Sequence, residues 1–463
     1  MAEFSEARRV SLESAQTEAG GAVALLQSSN IGPFVFPMIP PEFTNWRDES
    51  RAWKDGVALL EQSYHMTELH LRGPDTIPFL ASVCVNKLDP FPTMRAKQLV
   101  LAGHDGYMIA DAIMFHEAEE FIRVVGAPFA SNWLQFNAER GGFNITVKRD
   151  ENFIARQGKG PRDVFRLQIQ GRDAVALMKD VTDGELPDIK FFHIGELGIA
   201  GRKVRALCHG MGGGAIGFEL FGPWDDQHAV RAALERSGEK FGMRLVGALA
   251  YSTTAQESGW MPMPLPAIYH SAQMKPYRQW LDDRCLETIG SLGGSYVSED
   301  IKDYYVDPVE VGYRGLIDFD RDFIGRDALR ERASNQRRTK VSLLWNTDDV
   351  SSINRDALTS SGVGPKFIAL PTSMYSTFQS DAVVKGGELV GISQWSSWSA
   401  NVKSHMSLAL IATQYATPGT ELTLRWGEPN PRRRTVEANA LREVRVTVAP
   451  APYFAKLAKT AGS

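Results

Sequence analysis

An α+β fold with a separate C-terminal antiparallel β-barrel follows from three features of the sequence. A strand–corner–helix phrase occurs twice, about a hundred residues apart; a meander stands between the copies; and from Val341 the composition changes to short alternating segments punctuated by glycine.

The first copy is Thr67-Glu-Leu-His-Leu-Arg72, which alternates like a strand, then the corner Gly73-Pro-Asp75 and a helical stretch over 76–83. The second is Val164-Phe-Arg-Leu-Gln-Ile-Gln170, Gly171-Arg-Asp173 and a helical stretch over 174–179. Two structurally related halves of one core produce such a recurrence, and halves of this kind commonly enclose a ligand. Between the copies, residues 98–102, 107–115 and 120–125 read as three strands joined by His104-Asp-Gly106 and an acidic turn. Ahead of the first copy a helix is predicted over 45–63. Asn45 caps it, Asp48 and Glu49 fill its first turn, and Trp46, Trp53, Val57 and Leu60 form one stripe. Further on, helices are predicted over 225–240 and 325–333, the latter running into an Arg-rich hinge over 330–340. Lys340-Val-Ser-Leu-Leu-Trp345, Glu388-Leu-Val-Gly-Ile-Ser393 and Thr420-Glu-Leu-Thr-Leu-Arg-Trp426 are the barrel strands. The expected domains are therefore 1–335 for the core and 336–463 for the barrel.

At 463 residues and 43% apolar composition the chain fills two to three hydrophobic cores. Its 51 basic and 55 acidic residues give a net charge of -4, so the composition forces no polycationic surface, which argues against nucleic acid as a partner and for a small ligand. Cys84, Cys208 and Cys285 form no Cys-x-x-Cys, which argues against a disulfide framework or a metal site and for a reducing cytoplasm. The apolar piece 22–26 is too brief for a secretory segment, and Pro33, Pro37 and Pro40 break the uncharged run 19–41, so no membrane span is predicted. Gly212-Gly-Gly214-Ala-Ile-Gly217 satisfies a dinucleotide-binding pattern formally. That pattern needs a helix to receive the pyrophosphate, whereas Phe218-Glu-Leu-Phe221 continues as a strand, so the glycines read as a turn.

Gly217-Phe-Glu219, Gln256-Glu-Ser-Gly-Trp260, Asp307-Pro-Val-Glu-Val-Gly312, Asp322-Phe-Ile-Gly-Arg-Asp-Ala-Leu329 and Gly419-Thr-Glu-Leu422 span most of the chain. With them it resembles the glycine-cleavage T-protein (aminomethyltransferase) family. The resemblance implies a three-lobed, cloverleaf core with tetrahydrofolate in its central channel. It also implies that the Glu219 carboxylate accepts two N–H donors of the pterin. Two positions depart from the aminomethyltransferase pattern: Ala110-Asp111 stands where an Asp-Asp pair is expected, and Ala255 where an arginine is. Both speak against aminomethyl transfer from a lipoyl carrier.

Tyr251 in Gly247-Ala-Leu-Ala-Tyr251, Trp260, Tyr64-His65-Met66, the stretch 37–46 and Leu265-Pro-Ala-Ile-Tyr269 instead resemble the aromatic O-demethylase branch, whose members act on vanillate, 3-O-methylgallate and syringate. The implied reaction moves the methyl group of a methoxylated aromatic acid to tetrahydrofolate, giving 5-methyltetrahydrofolate and the phenol without a metal. Tyr251 is then the general acid, because a phenol of pKa about 10 matches a phenolate leaving group of pKa about 10. Glu219, Trp260 and Asp111 hold the cofactor. His65, Tyr64 and Arg123 meet the aromatic acid, Arg123 because it lies in the last meander strand. Where vanillate-type relatives carry an arginine this chain has Ala127, which favours a syringate-type pocket. Other members of the fold, an aminomethyltransferase or a non-catalytic folate-binding accessory protein, are the alternatives. Taken without the resemblance, Tyr251, Trp260 and His65 also read as ordinary core side chains, and Asp111 as a solvent-facing strand residue.

Overall fold

The computed structural model describes residues 10–157, 159–211 and 216–454, so Gly212, Gly213 and Gly214 lie outside the described residues. Both copies of the repeated phrase form as expected: strand Thr67–Arg72 with helix Thr76–Val83, and strand Val164–Gln170 with helix Ala174–Val181. The corner glycines Gly73 and Gly171 have φ of 136° and 134°. A Cβ on either would stand 2.3 Å from the Asn144 carbonyl oxygen or 2.4 Å from that of Gly56, so the strand-to-helix corner requires glycine twice.

Each half continues as a meander whose last strand returns antiparallel to the first. In the first half the meander is Arg95–Ala102, Met108–Ala118 and Phe121–Gly126, and the last of these pairs with Thr67–Arg72. In the second it is Ile194–Ile199, Arg202–His209 and Gly217–Pro223, and the last pairs with Val164–Gln170. Strand Thr146–Asp150 completes a five-stranded first sheet, while Ala58–Glu61 and Arg244–Val246 complete a six-stranded second one. Phe165, Leu167, Ile169, Phe218 and Leu220 bury one face of that second sheet with Leu177, Val230 and Leu234 of helices Ala174–Val181 and Gln227–Gly238.

The helix expected over 45–63 covers only Trp46–Asp55, and the Asn45 side chain caps it as predicted. It stops at Gly56, and Ala58–Glu61 becomes a fully buried strand between Val164–Gln170 and Arg244–Val246. Leu60 suits a helical stripe and a buried strand equally, so pairing with distant strands decides. The helix over 225–240 is realised as Gln227–Gly238 flanked by 3-10 turns, and that over 325–333 as Arg326–Ser334. The expected hinge over 330–340 is not a free linker, because helix Arg326–Ser334 takes its start and barrel strand Arg338–Trp345 its end.

That strand opens a closed barrel with Ser404–Ala412, Glu388–Ser399, Asp381–Lys385, Glu421–Trp426 and Arg442–Ala449, filled by Leu343, Trp345, Ile411, Leu424, Trp426 and Val446. Two buried carboxylates clasp barrel to core. Glu310 accepts Arg338 Nε at 2.7 Å, and Glu257 accepts Trp53 Nε1 at 2.8 Å and Ser399 Oγ at 2.6 Å. No helix among the described residues is long and apolar enough to cross a membrane.

Candidate functional site

Side chains alternate across a strand, so Arg166 and Gln168 lie on the face of the second sheet opposite Phe165, Leu167 and Ile169, and Glu219 stands beside Gln168 across the ladder. Such an alternation ordinarily marks a solvated face. Here Arg166, Gln168 and Glu219 are only 1%, 0% and 3% exposed, because this face turns toward the other half. Gly217 lets the two glutamine side chains pack directly against its backbone, since a Cβ there would meet the Gln170 Oε1 at 2.4 Å and the Gln168 Nε2 at 2.7 Å.

Glu219 accepts hydrogen bonds from Arg166 Nη1 and faces His209 Nε2 at 3.2 Å. Burial pushes its pKa up, but the Arg166 guanidinium and His209 more than offset this and hold the carboxyl below its usual range. Arg166 itself is fixed on all sides. Its Nε donates to Glu68 at 2.7 Å, and its guanidinium carbon lies 4.7 Å and 4.9 Å from the ring centres of Phe115 and Phe221.

Tyr251 ends the short helix Ala248–Tyr251. Glu49 positions that helix by accepting the Gly247 N–H at 2.8 Å while also accepting the Phe43 and Thr44 N–H groups at 2.7 Å, which ties in the N-terminal segment. Gln62 Nε2 donates to the Tyr251 hydroxyl at 3.0 Å, and His65 Nε2 lies 3.2 Å from the same oxygen. Phe36 stacks on the Tyr251 ring, 4.4 Å between centres and 24° between planes, and Phe34 meets His65 edge-on.

Burial, aided by the Arg162 charge, drives the His65 pKa down to about 3, so its imidazole is neutral. With Gln62 as donor, the Tyr251 proton is left for His65 Nε2 or for a ligand, and where it goes to Nε2 the imidazole proton sits on Nδ1. Burial first, and the Glu219 charge in addition, push the Tyr251 pKa above the phenol range, overturning the expected match with a phenolate of pKa about 10. The same Glu219 charge acts on His65, so the three groups share one electrostatic environment.

Four buried polar atoms here, Gln62 Oε1, His65 Nδ1, Arg166 Nη2 and Gln168 Oε1, have no hydrogen-bond partner among the described residues. An unmet buried polar group costs about 1–3 kcal/mol, so a concentration of them marks a surface made for a ligand. Two acceptors and a guanidinium N–H beside an ionised carboxylate suit a ring bearing both N–H donors and an oxo oxygen, as the pterin of folate does.

Asp111 belongs to a neighbouring cluster and is buried, not solvent-facing. It accepts Trp260 Nε1 at 2.8 Å, Gln98 Nε2 at 3.1 Å and the Tyr313 hydroxyl. Lys340 of the barrel, its pKa pushed down to about 8 by burial, is attracted to the same carboxylate. Arg123 and Tyr64 are not brought to Tyr251. Arg123 donates to Glu117 through Nε and to Glu68 through Nη1 at 2.7 Å, so two carboxylates occupy its charge. Tyr64 packs edge-on against Trp224 and Phe153. Sequence reasoning missed Gln62, Phe36, Arg166, Gln168 and His209. The polar residues alternating through Val164–Gln170 were the available signal.

A family model described as the GCVT N-terminal domain matches residues 15–263. The chain is 39% identical over 447 residues to a syringate O-demethylase of Sphingobium sp. (strain NBRC 103272 / SYK-6), covering 96% of each chain. It is 27% identical over 460 residues to a sesamin methylene transferase of Sinomonas sp. (strain No.22), covering 92% of this chain and 94% of that protein. The crystal structure of glycine cleavage system aminomethyltransferase T from Bartonella henselae shares the fold, with a TM-score of 0.61 and 14% identity over 93% of this chain and 95% of that one.

Proposed function

The chain belongs to the GCVT N-terminal domain family, and from that membership we propose that it is a tetrahydrofolate-dependent O-demethylase of methoxylated aromatic acids, with syringate the favoured substrate. The observation that carries this reading is a buried Tyr251 hydroxyl, met by Gln62 Nε2 at 3.0 Å and His65 Nε2 at 3.2 Å, in one electrostatic environment with the buried Glu219 carboxylate that Arg166 and His209 hold. Methyl transfer from an aryl ether needs both a proton for the leaving oxygen and a fixed acceptor. When bound, tetrahydrofolate supplies the ring nitrogen that accepts the methyl group.

Tyr251 directs its hydroxyl proton at the ether oxygen, held there by the Gln62 N–H, which engages a lone pair of the phenol and leaves its proton free. Because Tyr251 is a weaker acid than an ordinary phenol, its proton stays in place until negative charge develops on the departing oxygen in the same buried setting. Phe36 and Phe34 wall the aromatic ring. With Arg123 held by Glu117 and Glu68, the Nδ1–H of His65 is the group we assign to the acid's polar substituents. Glu219 holds the pterin, and Trp260 and Asp111 complete the cofactor side. Holding both reactants in line is worth roughly 7–11 kcal/mol of barrier in well-oriented systems.

Incubating the purified protein with tetrahydrofolate and a panel of methoxybenzoates tests this. The expected outcome is one 5-methyltetrahydrofolate per phenol released, fastest with syringate. Folate binding without methyl transfer to or from any panel member would overturn it in favour of an accessory protein.

A further inference from the structure

Arg166 is an expensive residue to bury. Its side chain is 1% exposed, and two of its nitrogens are satisfied by carboxylates of different halves, Glu68 and Glu219. The third, Nη2, has no partner among the described residues although the guanidinium is clamped between Phe115 and Phe221. A guanidinium locked by two carboxylates and two rings cannot turn to find another acceptor. Gln168, two residues on and on the same face, keeps its Oε1 unpartnered as well, although its Nε2 lies 3.3 Å from both the Ile169 carbonyl oxygen and Gln170 Oε1.

We propose that Arg166 is a cofactor-reading residue: its Nη2 donates to the 4-oxo oxygen of the pterin while Glu219 accepts the N3–H and one 2-amino N–H, with Gln168 Oε1 taking the second 2-amino N–H. The inference rests on the assignment of Glu219 to the pterin and deepens it. An acidic acceptor and a basic donor, bonded to each other and fixed in place, present the complement of an amide-like edge carrying N–H beside C=O. A carboxylate that accepts the 2-amino N–H and the N3–H already disfavours a neutral 2,4-diamino ring, whose N3 carries a lone pair and no hydrogen. The fixed guanidinium adds to that discrimination, because an amino group at position 4 would point a donor at a donor.

Folic acid and its 4-amino counterpart, aminopterin, share an oxidation state and differ at position 4 and in the N3 hydrogen that goes with it, so the Arg166 contact is read from how the preference between them changes from wild type to an Arg166 variant, by calorimetry of the intact protein. The wild type is expected to bind folic acid roughly fivefold or more tightly than the 4-amino compound, the scale of leaving a buried donor unmet. Arg166→Met, which keeps length and packing, should weaken folic acid and shrink that preference by roughly fivefold or more. Gln168→Ala should weaken both equally. Equal binding of the two ligands by the wild type overturns the inference, whether or not the Arg166 variant folds. So does a folded Arg166→Met protein whose preference between the two ligands equals that of wild type. A wild type that binds neither folic acid nor tetrahydrofolate overturns the assignment of Glu219 itself, a different failure.

Discussion

Aligned on their corner glycines, Gly73 and Gly171, the two halves place Glu68 on Arg166, and through the strand registers they place Arg123, opposite His70, on Glu219, opposite Gln168. The same two positions thus carry an ion pair of opposite polarity in each half, Glu68 with Arg123 and Arg166 with Glu219. Glu68 and Arg166 then pair with each other, joining the halves. What separates the halves is the next partner along. In the first half Glu117 also engages the arginine and is itself held by Arg205 of the second half, so every charge there is paired on both sides. In the second half the chain ends on a carboxylate with acceptor capacity to spare, since each of its oxygens has two lone pairs and one engagement. A duplicated scaffold therefore yields one clamp and one carboxylate with room for a ligand, the site proposed above.

If the second half alone carries the chemistry, the largest effect falls on the proton donor bordering its polar face. Tyr251→Phe should lower the rate of 5-methyltetrahydrofolate formation about 10²–10⁴-fold with folate and benzoate still bound. A stable variant turning over within a few-fold of wild type would break the mechanism.

Arg123→Ala tests the clamp. Breaking a buried pair from one side costs up to about 3–5 kcal/mol of stability, less here because Glu68 keeps Arg166 and Glu117 keeps Arg205, and denaturant titration reads the loss. The benzoate KM of the folded fraction should stay near wild type. A raised KM in a protein of normal stability would return Arg123 to the substrate and dissolve the contrast between the halves.

Glu219→Ala should do the reverse, weakening tetrahydrofolate by about 1.5–3 kcal/mol in calorimetry, the scale of a charge-assisted hydrogen bond. Unchanged affinity in a folded variant would leave the second half without a site.

The smallest expected effects are those of pH. The Glu219 pKa is depressed in the fold, so its contribution is present above the unfolded value of 4.5 and is lost only as pH falls through the lower folded value. Folate affinity should accordingly persist through the ordinary carboxylate range. His65 and His405 are forced neutral, with pKa values near 3 against 6.5 in the unfolded chain. Below 6.5 the unfolded chain takes protons that the fold refuses, so stability should fall steadily from there toward 3. Replacing both imidazoles by Gln should flatten the pH dependence of the melting temperature across that window.

Much of the architecture was legible before any coordinates. The two Gly corners, the alternation on either side of them and the Asn45 cap are local signals, and each formed where its residues indicated. Failure came where a local pattern has two solutions. Residues 57–61 fit a helical stripe or a buried strand, and pairing with residues far along the chain chose the strand. The polar members of Val164–Gln170 fit a solvated face or a buried site, and packing against the first half chose the site.

Within the site, Glu219, Tyr251 and His65 were visible because family phrases surround them, whereas Gln62, Phe36 and Arg166 stand in no such phrase. The sequence by itself determined the order of elements, the duplication, the family and hence the class of cofactor, all of which depend on neighbours within a few residues. Only the tertiary structure decided which charges are spent and which remain available. Arg123 and Glu219 are equivalent by position, but what each can do depends on Glu117, Glu68 and Arg166, whose approach to within hydrogen-bonding distance has no trace in local sequence.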